Sequence, residues 1–411
     1  MGVIEKSSIK LVFRKQIGIC RMKEKKICFI TATRAEYGQI APIMKILKEK
    51  ENIVLQILVT GTHLVESYGY TYKEIEKDGF SIDERVEIQL NTDTRVGICK
   101  TMGLAMLGIS EALNRLSPDM IVILGDRYEM LSVASVATVM DIPIAHISGG
   151  DSTPYAMDDS IRHAITKMST LHFAFTEQYR NRIIQMGENP ERVFNVGALG
   201  VENAKAVRWM SKHEITQKIE LDVSKKYVLF TYHPTTGLPG KAQEDIDNIL
   251  SAFALNSEYN YIFTKANSDP EGEIINKSID KFVRESKENA ILVDSLGTEL
   301  YLNVMRYADI VMGNSSSIIV EAPSFGIPII NIGERQIGRL KSQSIVNCKA
   351  NKDDVCKAMQ YIKTEEYLNL LQNSKNPFEG NDTSKTIVEK IELFLARDNK
   401  SMRKVFYDYE G

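Results

Sequence analysis

The feature that most constrains this chain is a regular alternation of short apolar runs with longer helical stretches, repeated in two successive series. In the first series, Ile27–Thr31, Ile53–Thr60, Met120–Leu124, Ile142–Ile147, Leu171–Phe175 and Val193–Val196 read as strands. Gln39–Lys50 has helical spacing between the first two. In the second, Tyr227–Tyr232, Tyr259–Thr264, Ala290–Val293, Asp309–Met312 and Ile327–Ile332 follow the same rhythm, and Ile318 to Phe325 reads as a helix. Strands separated by helices need crossover connections, so both sheets should be parallel. Continuously apolar strands need helices on both faces. The expected fold is α/β, two Rossmann-like doubly wound domains facing a cleft.

The stretch Glu214–Ser224 is polar and divides the series. The expected organisation is an N-terminal extension over 1–25, a first domain over 26–205, a second over 206–380 and a C-terminal segment over 381–411. Ile387–Ala396 reads as a final amphipathic helix. Residues 1–25 are basic but lack an apolar core followed by a cleavage site, which argues against a signal peptide; an alternative start at Met22 fits the first strand.

At 411 residues the chain is long enough for two domains. A net charge of −3 argues against a nucleic-acid binder. No uninterrupted apolar run approaches the ~18 residues of a membrane span, so no membrane partner is expected. The five cysteines form no CxxC pair, which argues against a metal cage or a disulfide framework and for a reduced, cytoplasmic protein.

In open parallel sheets, ligands bind at the carboxyl ends of strands, and there the sequence is rich in chemistry. The first strand ends in Thr31-Ala32-Thr33-Arg34-Ala35-Glu36-Tyr37-Gly38, where Arg34 offers a bidentate phosphate donor; a solvated turn capped by Thr fits equally well. GxGxxG is absent, so a nicotinamide cofactor is not indicated. Gly125-Asp126-Arg127-Tyr128-Glu129 sets three charges directly after a buried strand, with Asp126 a candidate acid or base and Arg127 a phosphate ligand. A local Asp–Arg pair closing a turn is the alternative. Ser148-Gly149-Gly150-Asp151 and Asp158-Asp159-Ser160-Ile161-Arg162-His163 gather carboxylates, an arginine and a histidine within a few turns. Helix-dipole preference explains one of those acids, not all of them. His63, after the second strand, is a further sugar-side candidate, although a lone histidine there is more often structural. In the second series, Gly313-Asn314-Ser315-Ser316-Ser317 offers a helix N-terminus and hydroxyls to a diphosphate, with plain Ser capping as the alternative. Glu321 is placed to accept from ribose hydroxyls. His233, Asn267, Arg335 and Arg339 follow other strands of the same sheet.

These blocks, TRAEYG (33–38), GDRYE (125–129), GGD…DDSIRHAITKMS (149–169) and GNSSSIIVEAPSFGIPIINIGERQIGR (313–339), resemble the hydrolysing UDP-N-acetylglucosamine 2-epimerases of sialic acid and legionaminic acid biosynthesis, over about residues 26 to 390. The resemblance implies the GT-B architecture, with the last helix returning to the first domain. It implies a reaction without cofactor: anti-elimination of the nucleoside diphosphate to a 2-acetamidoglucal, then hydration with inversion at C2. By position it implies Asp126 and Asp158 as catalytic acids, with Asp151 a third candidate. Arg34, Arg127, His233, Asn267, Ser315, Ser316, Glu321 and Arg335 would form the nucleotide set, and His63, Arg162 and His163 the sugar set. A dimeric or tetrameric homo-oligomer is also implied. The chain departs from the family where many relatives have EGGE: Ser148 replaces the first Glu and Asp151 the second, and one extra residue separates the glycines from Asp158. Four readings follow: the hydrolysing enzyme on UDP-N-acetylglucosamine or on a UDP- or GDP-linked 2,4-diacetamido-2,4,6-trideoxyhexose, a non-hydrolysing epimerase, a GT-B glycosyltransferase, and a nucleotide-sugar sensor.

Overall fold

The computed structural model describes residues 24–90, 94–154, 157–235, 240–266, 271–286, 289–294, 296–397 and 403–408. Most of the 1–25 extension and Asn267 lie outside these ranges.

The chain forms two parallel sheets. The first contains β1 (Lys25–Thr31), β2 (Ile53–Thr60), β3 (Glu84–Val86), β4 (Met120–Leu124), β5 (Ile144–Ile147), β6 (Leu171–Ala174) and β7 (Val193–Asn195), in the order β3-β2-β1-β4-β5-β6-β7. The second contains β8 (Tyr227–Thr231), β9 (Asn260–Thr264), β10 (Ala290–Val293), β11 (Ile310–Gly313), β12 (Ile329–Ile332) and β13 (Ile345–Cys348), in the order β10-β9-β8-β11-β12-β13. Every strand pair is parallel. Each sheet reverses its winding once, between β1 and β4 and between β8 and β11, so each has a switch-point crevice at its carboxyl edge. The central strands are buried throughout, as in β4 and β8, because helices cover both faces.

The apolar-run reading missed β3 and β13. Both are short edge strands; Glu84 and Arg85 in β3 and Asn347 in β13 interrupt the apolar pattern. Edge strands tolerate charge because one side is not buried in the sheet.

The first helix spans Arg34–Lys48 and begins five residues before the periodicity predicts. A reciprocal capping box starts it: Thr33 accepts from the Glu36 amide, and the Glu36 carboxylate accepts from the Thr33 amide. Pro42 sits inside the helix and leaves the Gly38 carbonyl without its usual donor. Asn203 Nδ2 supplies one, 2.8 Å away. Ile318 to Phe325 divides into an α-helix, Ser316–Val320, and a 3₁₀ turn, Ala322–Phe325.

The last helix, Thr383–Leu395, packs against Arg34–Lys48. Thr383 Oγ1 donates to Val196 O at 2.7 Å, and Lys50 pairs with Glu392 at 2.9 Å. One described helix, Arg95–Leu116, is long and apolar enough to cross a membrane by length and composition, which the search for an uninterrupted apolar run missed. Its Thr101, Ala105, Ile109 and Leu113 are buried, and it packs beside Tyr128–Val139. Val96 and Leu107 on the same helix stand 66% and 68% exposed.

Candidate functional site

At the edge of the first sheet, Gly125 turns the chain out of β4 with φ +88°, a left-handed conformation that glycine takes without strain. Asp126 and Arg127 follow. Arg162, on the helix Met157–Met168, is 1% exposed. A buried guanidinium is tolerated only when paired and hydrogen-bonded. Its Nε donates to Asp126 Oδ2 at 2.8 Å, and Nη2 reaches the same oxygen. Nη1 donates to Asp151 O at 3.2 Å and Asp159 Oδ1 at 3.3 Å, and Nη2 to Thr153 Oγ1 at 3.2 Å. Arg162 therefore gathers the ends of β4 and β5 and the loop after β5 around one cation. His163 Nε2 lies 3.7 Å from Asp159, and its Nδ1 is sealed from solvent without a partner among the described residues. Burial pulls the imidazole below its ordinary range, against the pull of Asp159. Asp158 is exposed in the first turn of the same helix. Ser148 has φ +73°, an uncommon state for a residue with a side chain.

His63 is fully buried and lies between Thr31 Oγ1 at 3.1 Å and Thr71 Oγ1 at 2.8 Å. Burial lowers it to about 4, so it is neutral near pH 7. Both ring nitrogens are taken by protein hydroxyls, which places it behind the strand ends, apart from the Arg162 cluster.

Arg34, half exposed, stands 4.0 Å from Glu74. Arg127 reaches the fully buried Glu129 through Nε at 3.2 Å and Nη2 at 3.1 Å. Next to them Glu36 accepts from the Ala32 and Thr33 amides at 2.8 and 3.2 Å through Oε2. Its Oε1 is buried with no hydrogen-bond partner among the described residues. Burial raises the Glu36 carboxyl to about 7, against the opposing field of Arg127. Sequence reasoning gave Glu36 no role and counted Glu129 only as one of three charges after β4, although the Thr33–Glu36 spacing carries the capping-box signal.

At the edge of the second sheet, Asn314 is fully buried and ties three segments together. It accepts from the His233 amide at 2.7 Å and donates to His233 O at 2.8 Å. Its own carbonyl accepts from Arg335 Nη1 at 3.2 Å and Gln336 Nε2 at 2.7 Å. Burial, and then Arg335, lower the His233 imidazole to about 3. Gly313 has φ +129°, and a Cβ there would lie 1.9 Å from Thr231 O, so only glycine fits. Ser315 caps the short helix, Ser317 Oγ donates to it at 3.1 Å, and Ser316 is exposed. Glu321 retains partial exposure as a residue, but its Oε2 is sealed and has no hydrogen-bond partner among the described residues. Burial lifts this carboxyl to about 8.

The two edges meet. Arg339 Nε lies 2.9 Å from Asp151 Oδ2, a charge contact whose N–H is not aligned as a hydrogen bond. The Leu340 amide donates to Tyr179 OH at 3.2 Å. A Cβ on Gly338 would strike Pro154 at 2.6 Å, and one on Gly200, in the first domain, would overlap Glu321 Oε1 at 2.0 Å. Asp126, Asp151 and Arg162 are thus brought together, with His163 tied in through Asp159. His233, Ser315 and Arg335 gather around Asn314. Arg34 and His63 stand beyond the first switch point, at the ends of β1 and β2, while Arg127 follows Asp126 at the end of β4.

The family model for UDP-N-acetylglucosamine 2-epimerase matches residues 45–392. The chain belongs to this family. A GDP/UDP-N,N'-diacetylbacillosamine 2-epimerase (hydrolyzing) of Campylobacter jejuni is 42% identical over 84% of this chain and 89% of that protein. Polysialic acid biosynthesis protein P7 of Escherichia coli is 36% identical over 93% of this chain and 97% of its own length. Among solved structures, UDP-GlcNAc 2-epimerase from Neisseria meningitidis bound to UDP-GlcNAc superposes with a TM-score of 0.76 at 19% identity, over 90% of this chain and all of that one. That likeness establishes the fold: two Rossmann-like sheets in the GT-B arrangement.

Proposed function

We propose that this member of the 2-epimerase family is a hydrolysing nucleotide-sugar 2-epimerase, which releases a nucleoside diphosphate and inverts C2 of a 2-acetamido sugar. The observation that carries this reading is the Arg162 cluster. It holds Asp126 at the carboxyl edge of the first sheet, which Arg339 of the second edge meets 2.9 Å from Asp151, and Glu321 of that second edge keeps a sealed Oε2 with no hydrogen-bond partner among the described residues. In the proposed reaction an aspartate takes the C2 proton as the C1–O bond breaks, and the electron pair of C2–H forms the C1=C2 bond. The diphosphate departs with the C1–O pair. Water then adds to C1 while a proton is delivered to C2 from the opposite face. Asp126 and Asp158 are the residues assigned to these proton transfers, with Asp151 as the third candidate; Ser148 has no carboxylate to offer. Arg34, Arg127, His233, Asn267, Ser315, Ser316 and Arg335 are assigned to the nucleotide, with the Glu321 carboxylate accepting from the ribose diol. Arg162 and His163 are assigned to the sugar side, Arg162 chiefly by holding Asp126. His63 is retained there as a support for the β1 end.

For the sugar, the relative at 42% identity favours a UDP- or GDP-linked 2,4-diacetamido-2,4,6-trideoxyhexose. The likeness to P7 keeps UDP-N-acetylglucosamine, and N-acetylmannosamine for sialic acid, as the second reading. The exposed face of Arg95–Leu116, with Val96, Leu104, Met106 and Leu107, supports a homodimer, since an apolar stripe of this kind is ordinarily covered. The proposed compartment is the cytoplasm.

The deciding experiment is proton NMR of both substrates in D₂O. The expected product is free 2-epimer carrying deuterium at C2. Deuterated sugar still joined to the diphosphate would instead identify a non-hydrolysing epimerase. Free sugar with C2 configuration and hydrogen intact would overturn the proposal in favour of a transferase that leaks its donor. Nucleotide binding without turnover of either substrate would identify a sensor.

A further inference from the structure

The helix Met157–Met168 carries Asp158, Asp159, Arg162 and His163 in its first half, and its other end is closed by a segment remote in sequence. The last carbonyls of a helix lack intrahelical donors and carry partial negative charge. Lys404 Nζ donates to Lys167 O and Ser169 O, both at 2.6 Å, and approaches Thr166 O at 3.5 Å. The same ammonium lies 2.8 Å from the Glu188 carboxylate. Glu188, 3% exposed, also accepts from Lys167 Nζ at 2.6 Å and meets His172 Nε2 at 3.1 Å.

The chain around Lys404 lies against the surface formed by Lys167, Gly187 and Arg192, with Phe406 62% exposed. The Tyr407 amide donates to Gly187 O at 3.0 Å, and Arg192 Nη2 donates to Arg403 O at 2.9 Å. The Phe406 ring occupies the space that a Cβ on Gly187 would need, at 2.4 Å, and the Lys167 ammonium stands 4.7 Å from its centroid. These residues lie beyond the family match, which ends at 392.

We propose that Lys404 is a positioning residue: by closing the C-terminal end of Met157–Met168 it sets the tilt of that helix and so the register of Asp158 and Arg162 against Asp126. The inference rests on the proposed role of those carboxylates. The helix is a rod of ~18 Å; Arg162, the Thr153 amide donating to Asp159 Oδ1 at 2.5 Å and buried Ile161 hold its first half, and Lys404 together with Lys167 holds its last turn. Constraining both ends defines its direction, whereas releasing one lets the first turn swing. Lys404 touches neither substrate nor reacting atoms, so nucleotide binding at the second sheet should not depend on it.

The test uses the full chain with Lys404→Met and Lys404→Arg, and Tyr407→Pro as a second way of lifting the strap should Lys404→Met fail to fold. Lys404→Met should lower kcat about 10- to 100-fold, the scale of a misplaced catalytic group, with affinity for UDP unchanged. Lys404→Arg should recover most of the loss. Hydrogen exchange should show faster exchange of amides within 157–168 and unaltered protection in the second sheet. Wild-type kcat in Lys404→Met, or an equal loss of kcat and UDP affinity, would overturn the inference. If the wild-type chain itself turns over neither nucleotide sugar, the functional reading fails. Exchange within 157–168 still decides the inference: unchanged protection in the variants sinks it, and selective loss sustains the mechanical coupling.

Discussion

Glu321 offers a quantitative handle on the proposed nucleotide site. Its carboxyl titrates at about 8 because burial leaves Oε2 unpartnered, so at pH 7 it is roughly nine-tenths protonated. Ionising it at that pH costs on the order of 1 kcal/mol. Two hydroxyls of a ribose diol donating to the ionised form return about 1.5–3 kcal/mol each. The gain exceeds the cost, so the bound carboxylate should be ionised and nucleotide binding should expel most of one proton at pH 7. Titration calorimetry of UDP in two buffers of different ionisation enthalpy reads this number directly. Protonation of His233 or of the diphosphate adds its own protons, so the diagnostic quantity is the difference between wild type and Glu321→Gln, which has no proton to give. Gln keeps one neutral acceptor, and UDP should bind it about 10- to 100-fold more weakly. The apo protein carries a matching signature. A carboxyl whose folded pKa is raised contributes stability that is complete below the unfolded value of 4.5 and lost as pH rises through about 8. Glu321→Gln should therefore match wild type in thermal stability at pH 4 and exceed it at pH 9. Equal proton counts in the two proteins would refute the reasoning, since the carboxylate would then not meet the ribose.

Three further outcomes follow from the same geometry. Asp126→Asn and Asp158→Asn should each lower turnover about 10²–10⁴-fold with UDP affinity intact by calorimetry; wild-type rates in either would return that residue to a structural role. Gly200→Ala should fold yet bind UDP as poorly as Glu321→Gln, and the double variant should be no worse, because the new methyl would overlap Glu321 Oε1 at 2.0 Å and push the carboxylate aside. Leu107→Glu, on the exposed face of Arg95–Leu116, should shift sedimentation from dimer to monomer without unfolding the chain; an unchanged sedimentation coefficient would remove that face as the interface.

The strands that sequence reading recovers are those whose physics is one-sided. β4 and β8 are buried on both faces, so their composition is unmixed and their limits are plain. Strand ends were also legible, because charged residues such as Asp126 and Arg127 directly after a buried run demand an explanation. β3 and β13 were not, since an edge position relaxes the demand for apolar residues. The start of Arg34–Lys48 was missed because its first turn is polar and set by the Thr33–Glu36 capping box, outside the apolar periodicity that begins near Gln39; Pro42 inside the helix is accommodated by a donor 165 residues away, Asn203. The same limit applies to the site. Sequence places Arg162 beside Asp158 and Asp159, but it does not reveal that every nitrogen of its guanidinium is occupied by protein. Nor does it reveal that His63 is enclosed by two threonines from different segments. Such facts depend on long-range packing, and spacing along the chain carries no record of them.

The first-sheet edge gathers Asp126, Asp151, Asp158 and Asp159, a poor place for a diphosphate to approach. The nearest compensating cation inside it, Arg162, is already committed to Asp126 and Asp159. The second edge carries Arg335, the neutral His233 and Ser hydroxyls, together with a Glu321 that burial keeps largely uncharged near pH 7. In the proposed complex this charge distribution favours the anionic end of a nucleotide sugar toward the second sheet and its sugar toward the aspartates, with Arg34 and Arg127 of the first edge as further phosphate donors. Arg339 is the exception to this separation, because it belongs to the second edge but lies against Asp151 of the first. That contact lets the edges meet without stranding an acid. It also means that an arriving diphosphate and Asp151 compete for the same guanidinium. Arg339→Gln removes the charge but keeps a planar hydrogen-bonding head. It should weaken UDP binding more at low ionic strength than at high, where screening shrinks the electrostatic share of affinity. A loss of affinity independent of salt would show that Arg339 acts by shape and not by charge.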